Sequence, residues 1–182
     1  MLEIKNVHKT FNKGTINEKK ALNGVNLHLD PGDFVTIIGG NGAGKSTTLN
    51  MVAGVYPIDQ GTIILDGKDI SDLPEYKRAY MLGRVFQDPM MGTAAGMQIE
   101  ENMAMANRRG KKRGLSWGIK KKEKEMFKEK LQMLDLGLED RMTSKVGLLS
   151  GGQRQALTLL MATLKKPSLL LLDEHTAALD PK

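Results

Sequence analysis

Eight consecutive residues, Gly39-Gly40-Asn41-Gly42-Ala43-Gly44-Lys45-Ser46, constrain this chain more than any other stretch. They fit G-x-x-x-x-G-K-[ST] and lie between the apolar run Phe34-Val35-Thr36-Ile37-Ile38 and a segment that predicts a helix from Lys45 to Gly54. That context is one in which a loop cradles phosphate. Glycines let successive backbone N–H groups approach phosphate oxygens, and the helix N-terminus adds partial positive charge. Lys45 supplies a point charge for the β and γ phosphates, and Ser46 offers a hydroxyl to Mg2+. The run Phe34 to Ile38 then reads as a strand buried on both faces of a mainly parallel sheet.

A second apolar run, Leu169-Leu170-Leu171-Leu172, ends in Asp173-Glu174, and open α/β sheets gather ligand chemistry at such C-terminal strand ends. Neighbouring strand residues point in opposite directions. Asp173 can therefore help hold Mg2+ opposite Ser46 while Glu174 faces the γ-phosphate and polarises an attacking water. Leu149-Ser150-Gly151-Gly152-Gln153 opens another helix, running to about Lys165, with Ser150 and Gln153 at the spacing of a capping box. Gly151 and Gly152 exceed what a cap needs and suit close approach to a ligand. Two phosphate-binding helix starts thus share one acidic strand end, and residue spacing leaves open whether both grip one nucleotide.

Composition narrows the class. Of 182 residues none is Cys, which excludes disulfide scaffolds, thiol chemistry and Cys-based metal sites. The first residues carry Glu3 and Lys5 and no apolar leader, and no stretch approaches 18 uninterrupted apolar residues, so neither secretion nor a membrane span is expected. Leu2 to Val7 and Val25 to Leu29 read as strands, with a turn at Asp30-Pro31-Gly32-Asp33 and another strand at Thr62 to Leu65 closed by Asp66-Gly67. Helical periodicity governs Gln98 to Leu134, interrupted at Gly110, Gly114 and Gly118, and residues 156, 157, 160, 161 and 164 form an apolar helix face.

Taken together, GGNGAGKST at 39 to 47, VFQDP at 85 to 89, LSGGQ at 149 to 153, LLLLDE at 169 to 174 and AALD at 177 to 180 resemble the nucleotide-binding domain of ATP-binding cassette (ABC) transporter ATPases. The resemblance runs from residue 2 to the chain end. It implies an α/β P-loop NTPase (RecA-like) core with an N-terminal antiparallel β subdomain and a helical subdomain. Residues 1–88 and 160–182 would form the β subdomain and core, and 89–159 the helical subdomain. It implies that Gly39, Gly40, Asn41, Gly42, Ala43, Gly44, Lys45, Ser46 and Thr47 bind ATP, and that Ser46, Gln87 and Asp173 contact Mg2+. Gln87 would also contact the attacking water and Glu174 would be the general base. Ser150, Gly151, Gly152 and Gln153 would close over ATP held by a second nucleotide-binding domain, with Asp180 communicating across that dimer. Phe11 stands where the family places an aromatic ring against adenine.

Two departures accompany the resemblance. His175 stands where Pro is usual and reads as a backbone variant. The family's switch His and the strand that bears it follow AALD by a few tens of residues, and that strand lies between the phosphate-loop strand and the acidic strand. Residues 1–182 are therefore expected to be part of a longer cassette and, alone, to be poorly folded or, if folded, rearranged, with turnover near background. The implied function is an ATP-hydrolysing transporter subunit, peripheral on the cytoplasmic face of the membrane, with a permease docking near 87–105. A truncated form that binds nucleotide without turnover, or a soluble ABC ATPase acting on nucleic acid, are the alternatives.

Residues 108–124 hold nine Lys and Arg against Glu123, so this one segment makes the protein basic. Trp117 is its only aromatic, which gives little support for stacking on bases, and no nucleic acid is expected as partner. Met90, Met91, Met97, Met103 and Met105 are adaptable core filler or the lining of a groove for a partner helix.

Overall fold

The computed structural model describes residues 1–111 and 118–173. It divides into two compact units, Met1–Leu82 and Gly83–Lys182.

The first unit is built on a four-stranded antiparallel sheet. It comprises β1 (Leu2–Phe11), β2 (Lys19–Leu29), β3 (Gln60–Leu65) and β4 (Lys68–Asp69) in the order β2-β1-β3-β4. Alternation along β1 buries Leu2, Ile4, Val7 and Lys9, and the shift in phase after Ile4 comes from a bulge at Asn6, whose φ is 48°. Leu2 sits opposite both Leu29 and Leu65. Burying each such aliphatic side chain contributes about 1.5–3 kcal/mol. Asp66 and Gly67, with φ of 49° and 75°, make the tight turn from β3 to β4 that their identities suggest.

Helix α1 (Lys45–Ala53) follows the glycine-rich loop and buries Thr48, Met51, Val52 and Ala53. It ends at Gly54, where φ is 85° and an added Cβ would lie 2.8 Å from Arg78 Nε. Arg78, the last residue of the short α2 (Glu75–Arg78), is 1% exposed. Its Nη1 donates to the carbonyls of Met51 (2.7 Å) and Val52 (3.0 Å), Nε to Leu73 (2.6 Å) and Nη2 to Ser71 (2.9 Å). A buried guanidinium thus adds donors at the carbonyl end of α1, where the Met51 carbonyl also accepts from the Gly54 N–H at 3.1 Å. Burial lowers its pKa, against the opposing pull of Asp72 and Asp69.

The second unit pairs β5 (Leu82–Val85) with β6 (Leu169–Leu172). Gly83 packs against Leu170 while the Asp173 N–H donates to the Val85 carbonyl at 3.1 Å, so the two strands run in the same direction. Three helices, α3 (Ile99–Asn107), α4 (Lys121–Gln132) and α5 (Gly151–Thr163), enclose a core of Ile99, Met103, Phe127, Leu131, Leu138, Val146 and Leu157. Short 3-10 turns at Leu138–Asp140 and Val146–Leu148 carry two of these residues. Fully buried Asn102 exchanges bonds with Ala94, accepting from its N–H (2.8 Å) and donating to its carbonyl (3.1 Å), which fixes the segment ahead of α3.

Two expectations are corrected. Phe34 to Ile38 forms no strand, and Phe34 and Ile38 are 85% and 90% exposed. An apolar run becomes a strand only where neighbours take up its N–H and C=O groups, and no pairing to these residues occurs among the described residues. Leu169–Leu172 is a strand, but only Leu171 is buried, because β5 alone flanks it among the described residues. The expected apolar face of α5 does pack inward, with Leu157 and Met161 in the core and Leu160 and Leu164 against it, and burial extends further to Arg154, Gln155, Thr158 and Ala162, where the Val146 carbonyl accepts from Arg154 Nη2 at 3.1 Å.

Candidate nucleotide site

In the first unit the loop at 39–46 leads into α1 through Gly44, whose φ is 90° and whose added Cβ would meet Leu22 Cδ2 at 2.6 Å and the Ala21 carbonyl at 2.8 Å. Only glycine fits there on both counts. The N-cap offers no side-chain bond, and the first turn carries no acidic residue. The first N–H groups of α1 are therefore left for an external acceptor, and the helix dipole favours an anion. Ser46 is exposed on that turn and Thr47 is half-buried. The Thr48 side chain is used internally, donating to the Gly44 carbonyl at 3.0 Å.

Lys45 bends back over the loop, and its ammonium donates to the carbonyls of Gly39 (2.6 Å) and Gly40 (3.0 Å). Those partners are dipoles rather than carboxylates, so the charge stays available to phosphate. The loop rests on the start of β2, where Lys19 Nζ comes within 3.5 Å of the position a Cβ would take at Gly42. Lys19 pairs across the sheet with Phe11, which puts the expected adenine-side ring at the same end of β1 and β2 as the loop. Sequence reasoning missed Lys19, because only the β1–β2 register reveals its position.

In the second unit, Gln87 is exposed two residues past β5 and Asp173 is half-buried one residue past β6. The parallel pairing of those strands brings both to one sheet end. Ser150 makes the anticipated capping box, accepting from the Gln153 N–H at 3.3 Å while the Ser150 N–H donates to Gln153 Oε1 at 3.2 Å. A Cβ added at Gly151 or Gly152 would meet nothing within 4 Å, so packing among the described residues gives no reason for glycine at either position. Glu174, His175 and Asp180 lie outside the described residues.

The residues present fit a Mg2+-nucleotide. Among the described residues no group of three or more His, Asp or Glu side chains converges as an all-protein metal site would. A hydroxyl, one or two carboxylates and the phosphates themselves are the set by which Mg2+ is commonly held. In the first unit Ser46 has the hydroxyl, and in the second Asp173 has a carboxylate with the Gln87 amide at the same sheet end; a bound Mg2+ would supply charge neutralisation for the phosphates.

The ABC transporter family profile matches residues 22–177. The chain belongs to the ABC transporter family. Over 182 residues it is 43% identical to the tyrosine transport ATP-binding protein of Clostridioides difficile, covering all of this chain and 72% of that protein. It is 37% identical over 183 residues to the spermidine/putrescine import ATP-binding protein PotA of Haemophilus influenzae, again covering all of this chain but 44% of the relative. In structure it resembles the ATP-binding cassette MJ0796, solved as a dimer bound to ADP and Pi in a post-hydrolysis state. The TM-score is 0.81 at 31% identity, covering 99% of this chain and 76% of the other. This ABC chain thus spans between 44% and 76% of the proteins named here. The match establishes the mixed α/β cassette fold anticipated from the motifs.

Proposed function

We propose that this chain is the ATP-binding and ATP-hydrolysing portion of an ABC transporter subunit, which dimerises around Mg-ATP and passes its closing motion to a membrane permease on the cytoplasmic face. The observation that carries the reading is the start of α1 without a side-chain cap, beneath an ammonium that donates to loop carbonyls. Lys45 and the N–H groups of residues 39–47 hold the phosphates, Ser46, Gln87 and Asp173 hold Mg2+, and Phe11 stacks on the base. Glu174 takes a proton from the attacking water, and Gln87 orients that water. The open space above Gly151 and Gly152 supports a role for Ser150 to Gln153 in closing over nucleotide bound to a partner cassette, with Asp180 relaying that closure.

Permease docking near 87–105 is supported by Met90, Met91 and Met105, which are 53%, 69% and 38% exposed, whereas Met103 belongs to the core. A groove of about 760 Å³ that includes Met105 is lined by Met97, Ala104 and Ile119 together with charged residues such as Glu100, Arg108 and Lys124. In the assembled transporter, Glu174→Gln is expected to preserve ATP affinity and to lower turnover by about 10² to 10⁴. Turnover retained in that variant would remove Glu174 from the general-base role.

A further inference from the structure

We infer that Lys9, Asp59 and Tyr56 form a support that holds the Phe11 ring for stacking on the nucleotide base, making them positioning residues for base preference. The inference rests on the reading of Phe11 as the stacking residue.

The geometry begins with the segment that follows α1. Asp59 lies along the end of β1, its N–H donating to the His8 carbonyl at 3.0 Å and its Oδ2 accepting from the Thr10 N–H at 2.6 Å. Its Oδ1 accepts from Lys9 Nζ at 3.0 Å. Lys9 is 8% exposed and lies on the same face of β1 as Phe11, two residues on, with its ammonium 5.6 Å from the Phe11 ring centroid. Tyr56, three residues before Asp59, also packs against Phe11, with centroids 5.3 Å apart and planes at 83°.

Phe11 is half-exposed, so the two contacts fix the ring without covering it. An ammonium near an aromatic face draws on its π density, and an edge-to-face neighbour restricts rotation of the ring. Both effects favour a flat, electron-rich base on the open side. Packing alone does not explain the arrangement. Taking a Lys–Asp pair partly out of water carries a desolvation penalty that an apolar pair at the same positions would avoid.

Calorimetric titration of the whole protein with ATP and with inorganic tripolyphosphate separates base contacts from phosphate contacts. Tyr56→Ala and Lys9→Met are expected to weaken ATP binding roughly two- to tenfold while leaving tripolyphosphate within about twofold of the original protein. Tyr56→Phe and Lys9→Arg, which keep the ring and the cation, are expected to restore ATP binding. A parallel loss for both ligands would mean a general structural role and would overturn the inference. It would equally be overturned if Phe11→Ala selectively weakened ATP while Tyr56→Ala and Lys9→Met had no effect. If Phe11→Ala itself left the ratio of the two affinities unchanged, the stacking reading would fail and take the inference with it.

Discussion

At the scale of single residues, the chemistry of the nucleotide loop was legible and its surroundings were not. Gly44, Lys45 and Ser46 announce themselves because their types and spacing have few other uses. Arg78, Asn102 and Lys9 are buried polar groups with partners as far as 27, 8 and 50 residues away, and no local pattern distinguishes them from solvated side chains. Asp59 illustrates the consequence. Burial alone would raise its pKa, but the Thr10 N–H and the Lys9 ammonium outweigh that and hold the carboxyl below the usual range. A folded-state pKa lower than the unfolded one contributes stability above the unfolded value and loses it as pH falls through the folded value. Acid unfolding of the chain is therefore expected to steepen below about pH 4. Asp59→Asn is expected to remove part of that acid sensitivity, at a neutral-pH cost of no more than about 1 kcal/mol given solvent screening. Unfolding curves collected from pH 7 to pH 3 check this, and an identical acid slope in both proteins would contradict it.

At the scale of elements, capping and periodicity carried more information than apolar runs. Helix α1 starts at Lys45 and stops at Gly54 as its sequence suggests, and Ser150 caps α5 as its spacing to Gln153 suggests. The helical stretch broken by glycines resolves into α3 and α4, with Glu101 accepting from the Gln98 N–H at 2.7 Å and Glu123 from the Lys120 N–H at 3.0 Å at the two helix starts. Phe34 to Ile38 failed as a strand for a physical reason. A helix satisfies its own backbone, whereas a strand is completed by neighbours that its own residues do not encode. The same distinction identifies what fixes α1 at its far end. Arg78→Met is expected to leave the carbonyls of Met51, Val52, Leu73 and Ser71 without this donor and to destabilise the chain by about 2–4 kcal/mol. Arg78→Lys, with one charge centre in place of a fork, is expected to recover only part of that loss. Urea midpoints measure both, and a Met variant as stable as the original would show that the guanidinium is not the cap of α1.

At the scale of the whole molecule, motifs separated by more than a hundred residues in sequence converge on one family, and the mixed α/β cassette fold follows from that membership. Family membership does not by itself show that this chain grips nucleotide through the loop at 39–46. The most direct measurement is a calorimetric titration of the chain with Mg-ATP, alone and with Lys45→Ala. The account predicts saturable binding with one nucleotide per chain. Removal of the ammonium from its seat over Gly39 and Gly40 is expected to weaken that binding by about ten- to a hundredfold, as the loss of charge-assisted bonds to phosphate requires. Absence of binding in the original protein, or equal affinity in the two proteins, would contradict the assignment of this loop as the nucleotide site.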